Sequence, residues 1–296
     1  MNSRVGLFAA LLLFGATWGL TLPLAKIIVS TGHAELGLVF WQFIFSMLSL
    51  SVVAYLQGDF PKPTRDHIIV CVGIAFLGTI IPSTVSYYVI QHIPAGVYAI
   101  TISLVPMFAM PIAIVLGMEA FQWRRLLGVM IGMSAIVLLV GPSTSLPDPA
   151  KAIFVLIACI APLCYGFEDN FVGKFTLRGL SPVQALLGAS FLGAAISGPV
   201  AAQTGQWVSL DHAWGLPEWC LLAMGVLHGL AYTGYVWLVG RAGPVFAAQV
   251  AYLVTGTGVL WSMLLLGETY SSWVWMALVL MLVGIFLVQP RDAEHH

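Results

Sequence analysis

Apolar runs of bilayer-spanning length recur along the whole chain, separated only by short polar stretches. A hydrocarbon core ~30 Å thick needs roughly 20 apolar residues in a helix to cross it. Backbone groups find no water there, so a crossing segment must satisfy its own hydrogen bonds. The runs read as helices near 5–27, 34–56, 67–91, 94–118, 124–142, 152–174, 181–203, 217–240, 245–267 and 272–289. Only 8% of residues are charged and the mean hydropathy is +0.98, which excludes a water-soluble globular domain. An all-α membrane protein with ten transmembrane helices is the expected fold.

Arg4 followed by the apolar run Val5 to Phe14 has the outline of a signal peptide. The run continues past Trp18 to Ile27 without a clear small-residue cleavage site, so a retained first helix is expected. Ten spans leave both termini on one side, and the positive-inside rule selects which. With the termini cytoplasmic, Arg4, Lys62, Arg65, Arg124, Arg125, Lys174, Arg178, Arg241 and Arg291 lie inside, and only Lys26 and Lys151 outside. The closing His295 and His296 read as a tag remnant.

The net charge of -1 and the scattering of basic residues along helix ends give nucleic-acid binding no support. Cys71, Cys159, Cys164 and Cys220 lie within or near spans without CxxC spacing, so buried free thiols are expected, with no disulfide, metal or cofactor. HExxH and nucleophile-elbow patterns are missing, so an intramembrane enzyme is the weaker alternative.

The second half repeats the first. Trp18-Gly19 corresponds to Tyr165-Gly166, 147 residues later, and Glu119 to Glu268, 149 residues later. The hairpin His92-Ile93-Pro94-Ala95-Gly96 corresponds to Arg241-Ala242-Gly243-Pro244. Five spans per repeat is an odd number, so the second repeat must enter the membrane from the opposite side. Two inverted five-helix repeats, 1–142 and 150–291, joined by a polar linker 143–149 and followed by a tail 292–296, are therefore expected. Inverted repeats are a common way to build alternating access around a midplane site.

Trp18-Gly19, Pro94-Ala95, Gly117-Met118-Glu119 and Gly267-Glu268, in this order and spacing, resemble the drug/metabolite transporter superfamily of EamA type over nearly the whole chain. Met118 departs from an adjacent Gly-Glu pair. Within the superfamily the chain is most similar to YddG-type aromatic amino acid exporters of bacterial inner membranes. The resemblance implies a central cavity lined by spans one, three, four, six, eight and nine, and an aromatic or other apolar amino acid as the exported small-molecule substrate, with another small amphipathic metabolite or a drug as the alternative.

His228, Tyr232 and Tyr235 share one face of the eighth span. The repeat maps them to Thr79, Ser83 and Ser86, so two polar faces meet an expected cavity; interhelical hydrogen bonding is the alternative. His228 lies near mid-membrane, where ionisable groups are costly and often functional, and a neutral hydrogen-bonding role is expected. Trp18 and Tyr165 form a symmetry-related aromatic pair suited to stacking on a solute or attracting its ammonium. Gln249 and Tyr252 share a face of the ninth span. Tyr87, Tyr88 and Tyr98 flank one hairpin, Tyr235 and Tyr252 the other, as candidate gates. Glu168 and Asp169 read as a solvated helix end, with proton coupling or ammonium binding as the sharper alternative. Sparse charge favours a carrier running down a substrate gradient, with proton antiport left open.

Pro23, Pro82, Pro106, Pro111, Pro162 and Pro199 interrupt spans and predict kinks. Gly128 and Gly132 permit close helix approach; packing inside a monomer is the expected use and a dimer the alternative.

Overall fold

The computed structural model describes residues 4–60, 64–242, 246 and 249–288. Lys62, Gly243 and Pro244 of the second hairpin, Arg291 and the tail 292–296 lie outside the described residues. The helices are α1 (Arg4–Val29), α2 (Glu35–Gln57), α3 (Arg65–Ile90), α4 (Ala95–Val115), α5 (Trp123–Val140), α6 (Pro149–Lys174), α7 (Pro182–Gln203), α8 (Leu216–Ala242), α9 (Val250–Leu266) and α10 (Ser272–Val288). Among the described residues there is no strand. Among the described residues seven helices, α1 to α7, are long and apolar enough to cross a membrane, and α9 and α10 are shorter apolar helices of 17 residues each. Leu12, Val52, Leu127, Val137, Phe191, Leu264 and Val279 are all more than half exposed. Apolar surface of that extent on a monomer marks contact with something other than water; here it faces lipid.

The packing repeats itself. Helix α1 lies against α8 and α9, and its counterpart α6 lies against α3 and α4. A Cβ on Gly19 would sit 2.9 Å from the Gly258 nitrogen, and one on Gly166 would sit 2.9 Å from the Ala109 nitrogen. Ala109 and Gly258 are 149 residues apart in sequence, so one backbone approach is made twice. Only a hydrogen side chain lets these helices come so close.

The pairs α2–α7 and α5–α10 are antiparallel. At one end of α2, Asp59 accepts from Gln184 Nε2 at 2.6 Å and also bonds Ser181, while at the other end Gly37 abuts Val208 just beyond α7. At the start of α5, Arg125 Nε donates to the Val288 carbonyl at 2.7 Å, and beyond its end Thr144 accepts from Trp273 Nε1 at 3.1 Å. Gly128 and Gly132 both abut Gly284 of α10, so both glycines are used inside the molecule.

Two expected kinks take definite forms. Pro82 cannot donate to the Gly78 carbonyl, and the turn before it, Phe76–Ile80, widens to a π-helix. Pro106 likewise leaves Ile102 without its amide partner; α4 halts at Ile102 and resumes at Val105. In the gap, Ser103 donates to the Ala99 carbonyl at 2.8 Å and bonds Thr255 of α9.

Candidate functional site

Trp18 stands in the middle of α1 and meets three rings of α8 edge-on. Its centroid lies 6.1 Å from His228, 6.3 Å from Tyr232 and 6.2 Å from Tyr235. Edge-to-face pairs at this range are a favoured arrangement of ring quadrupoles. The four residues are half-buried although they sit mid-helix and face one another.

On α6, Ile153, Leu156, Ile160 and Phe167 form the exposed apolar stripe, and Asp169 is on the opposite face with Ala158, Pro162 and Tyr165. Asp169 is nevertheless exposed and Glu168 half-buried. Both lie within electrostatic reach of Tyr232, and Asp169 of Tyr235. Tyr165 is within reach of Tyr98 and Glu168. Accessible surface on groups that face inward is the surface of an opening in the bundle. The two carboxylates therefore border the bundle interior. A Cβ on Gly78 would collide with the Glu168 carboxylate, which is thus wedged against the π-turn of α3. Neighbouring Asn170 is buried and donates to the Ala109 carbonyl of α4 at 2.9 Å.

Thr79 on the π-turn and His228 both line a cavity of about 20 Å³, together with Gln42, Ser46 and Ser190. That is room for one water with several polar partners. Ser83 is buried on α3. Gln249 caps the start of α9 and makes no side-chain hydrogen bond there.

The tyrosines taken as gates occupy different settings. Tyr87 is 2% exposed, and its hydroxyl donates to Gln42 Oε1 of α2 at 2.9 Å. Tyr98 is buried and its hydroxyl bonds Ser86, tying α4 to α3. Tyr235 belongs to the Trp18 cluster. The Tyr252 hydroxyl is buried with no hydrogen-bond partner among the described residues.

The α3–α4 hairpin is clamped at both of its helix ends. Lys26 Nζ of α1 donates to the carbonyls of Ile90 at 2.5 Å and Ile93 at 3.0 Å, where α3 ends. Glu268, just past α9, accepts from the Ala95 amide at 2.7 Å and the Gly96 amide at 3.1 Å, where α4 begins. The Tyr270 hydroxyl holds the same carboxylate at 2.6 Å. Helix ends leave such carbonyls and amides unpaired, and the dipoles favour a cation at the first and an anion at the second. Lys174 follows Lys26 by 148 residues, so Lys174 and Glu119 are the counterparts of Lys26 and Glu268. There the pattern differs: Glu119 pairs with Arg125, and Lys174 is exposed. In the sequence Glu268 stands out only as a landmark of the repeat and Lys26 only as a topology marker. Their coincidence with Glu119 and Lys174 was the signal available for a shared role.

Lipid-facing helices around an accessible polar interior, with a helical hairpin clamped at one end, define a multi-pass membrane transport protein. The model of the EamA-like transporter family matches residues 5–141 and again 152–289, and the chain belongs to that family. A protein of Escherichia coli (strain K12) described as the uncharacterized inner membrane transporter YedA is 26% identical over 95% of this chain and 90% of its own length. The proteins of the same description from E. coli O6:H1 and O157:H7 match to the same extent. One chain of known crystal structure shares the fold with a TM-score of 0.64 at 16% identity, covering 97% of this chain and 98% of that one.

Proposed function

We propose that the protein is an inner-membrane carrier that exports aromatic and other apolar amino acids by alternating access. In this reading ten transmembrane helices form two five-helix repeats of opposite orientation, with both termini cytoplasmic. The antiparallel run of α2 against α7 and α5 against α10 supports the inversion, because a two-fold axis in the membrane plane reverses equivalent helices. The E. coli relatives, described as inner membrane transporters, support the location. The excess of Arg and Lys at the Glu119 end supports the orientation.

The observation that carries the substrate class is the cluster of Trp18, His228, Tyr232 and Tyr235 rings with the Glu168 and Asp169 carboxylates within electrostatic reach of its tyrosines. Rings suit an apolar or aromatic side chain, and carboxylates suit an ammonium. Thr79, Ser83, Tyr165 and Gln249 complete the polar lining. One hairpin clamped while at the other end Glu119 pairs with Arg125 and Lys174 is exposed supports alternation of gates, with Tyr98 and Tyr252 as gate residues.

The test is saturable counterflow in proteoliposomes with a panel of amino acids. Phenylalanine, tryptophan and leucine should exchange and glutamate should not. Non-saturating flux would instead identify a channel. A lipophilic drug cation fits the same rings and carboxylates, so one belongs in the panel as the second reading. Glu168→Gln separates coupling from binding: a pH profile of transport unchanged by the substitution rules out a proton-coupling role.

A further inference from the structure

Beside the clamped hairpin lies a cavity of about 310 Å³ whose lining includes Lys26, Gln91, His92, Asp148, Lys151 and Glu268. Its volume is at the lower end of the range that encloses small ligands. Three of its four charged side chains are already hydrogen-bonded. Lys26 holds the α3 carbonyls, Glu268 accepts two amides and a tyrosine hydroxyl, and Asp148 accepts the Ala150 amide at 3.0 Å. Lys151 at the start of α6 has no side-chain partner among the described residues, and it lies within electrostatic reach of Lys26. The two ammonium and two carboxylate groups of the lining balance in formal charge, and Lys151 is the one of the four without a side-chain partner among the described residues, so its ammonium is the group open to an anion. Gln91 donates to Glu35 at 3.1 Å and to the Tyr87 carbonyl at 3.2 Å, which leaves its amide oxygen as an acceptor. His92, stacked on Phe154 at 4.0 Å, adds an aromatic surface.

We infer that this cavity is a second solute site, in which Lys151 holds the carboxylate of a small amphipathic zwitterion. Its role as a station beside the hairpin rests on the carrier reading; the binding itself does not. A solute there also competes with the Ile90 and Ile93 carbonyls for Lys26, which couples occupancy to release of the clamp.

The experiment uses the full chain in nanodiscs of neutral phosphatidylcholine, with a water-soluble amine-acylating reagent and mass spectrometry of the Lys151 peptide. Phenylalanine at about ten times its Kd should slow acylation of Lys151 about tenfold, since protection scales as one plus ligand over Kd. Phenethylamine, which lacks the carboxylate, should not protect. Equal protection by both compounds, or by neither, overturns the site. Protection given by phosphatidylglycerol in the nanodisc, with no further effect of phenylalanine, assigns Lys151 to a lipid headgroup and also overturns it. In proteoliposomes, Lys151→Gln should raise the half-saturation for phenylalanine added at the Lys151 side about tenfold, a loss of about 1.4 kcal/mol, and Lys151→Arg should restore it. If wild-type protein shows no amino acid flux while protection persists, the carrier reading falls and the site stands. Saturable flux with Lys151 acylation unaffected by phenylalanine has the reverse meaning.

Discussion

Glu268 reaches from the end of α9 to the first amide of α4, where its Oε1 lies 2.7 Å from the Ala95 nitrogen. This contact joins the two halves of the chain at a helix end that would otherwise present bare amides. It is also a contact that must break if the α3–α4 hairpin is to move away from α9.

Glu268→Gln keeps the shape and removes the charge, and charge-assisted bonds are about twice as strong as neutral ones. A weakening of ~1.4 kcal/mol should raise the open population at this end about tenfold. The readout is alkylation of a cysteine placed at Ser83, in a background without the four native cysteines, by reagent added from the Glu268 side. An unchanged alkylation rate would falsify the clamp.

Lys174→Gln should act with the opposite sign. Lys174 is exposed in this state, so its removal leaves the state intact and weakens the alternative in which it would take the place of Lys26. The same Ser83 probe should then react more slowly than in the parent protein. A faster reaction argues that the two lysines are not functional counterparts.

Gly284→Ala should lower thermal stability in detergent, because a Cβ there meets the Gly132 nitrogen at 2.8 Å and the Gly128 carbonyl oxygen at 2.9 Å. Overpacking against backbone costs about 1–3 kcal/mol. Gly256→Ala is the control, since a Cβ there has open space. It should be neutral or gain about 0.5–1 kcal/mol from lower unfolded-chain entropy. Equal losses at both positions would mean that α5 and α10 are not in the described register.

Trp18→Ala should raise the half-saturation for phenylalanine at least about tenfold, as the removal of a stacking and packing surface predicts. Trp18→Phe should retain much of the affinity. If both variants transport like the parent protein, the α1–α8 aromatic cluster is packing alone.

Much of the architecture was readable from residue order. Run length and hydropathy predict helices whose ends fall within a few residues of the observed ones; the expected start of α9 near 245 lies outside the described residues. Repeat landmarks paired Gly19 with Gly166, and both are close-approach points. The site was less legible. Glu168 and Asp169 sit six and five residues before Lys174, the spacing of a solvated helix end, and only the fold puts them within electrostatic reach of Tyr232. A single helix gives the angle of a side chain about its own axis but not which neighbour fills that direction.

Hydropathy, charge placement and duplication are properties of local stretches, and the bilayer converts them directly into helices because backbone polar groups there have no other partner. That much the order of residues decided by itself. Which helix ends meet, that Lys26 and Glu268 close on one hairpin, and that Lys151 is left without a side-chain partner among the described residues, were decided only by the packing of distant segments. Hydrogen bonds between groups more than 60 residues apart have no signature in either local sequence alone.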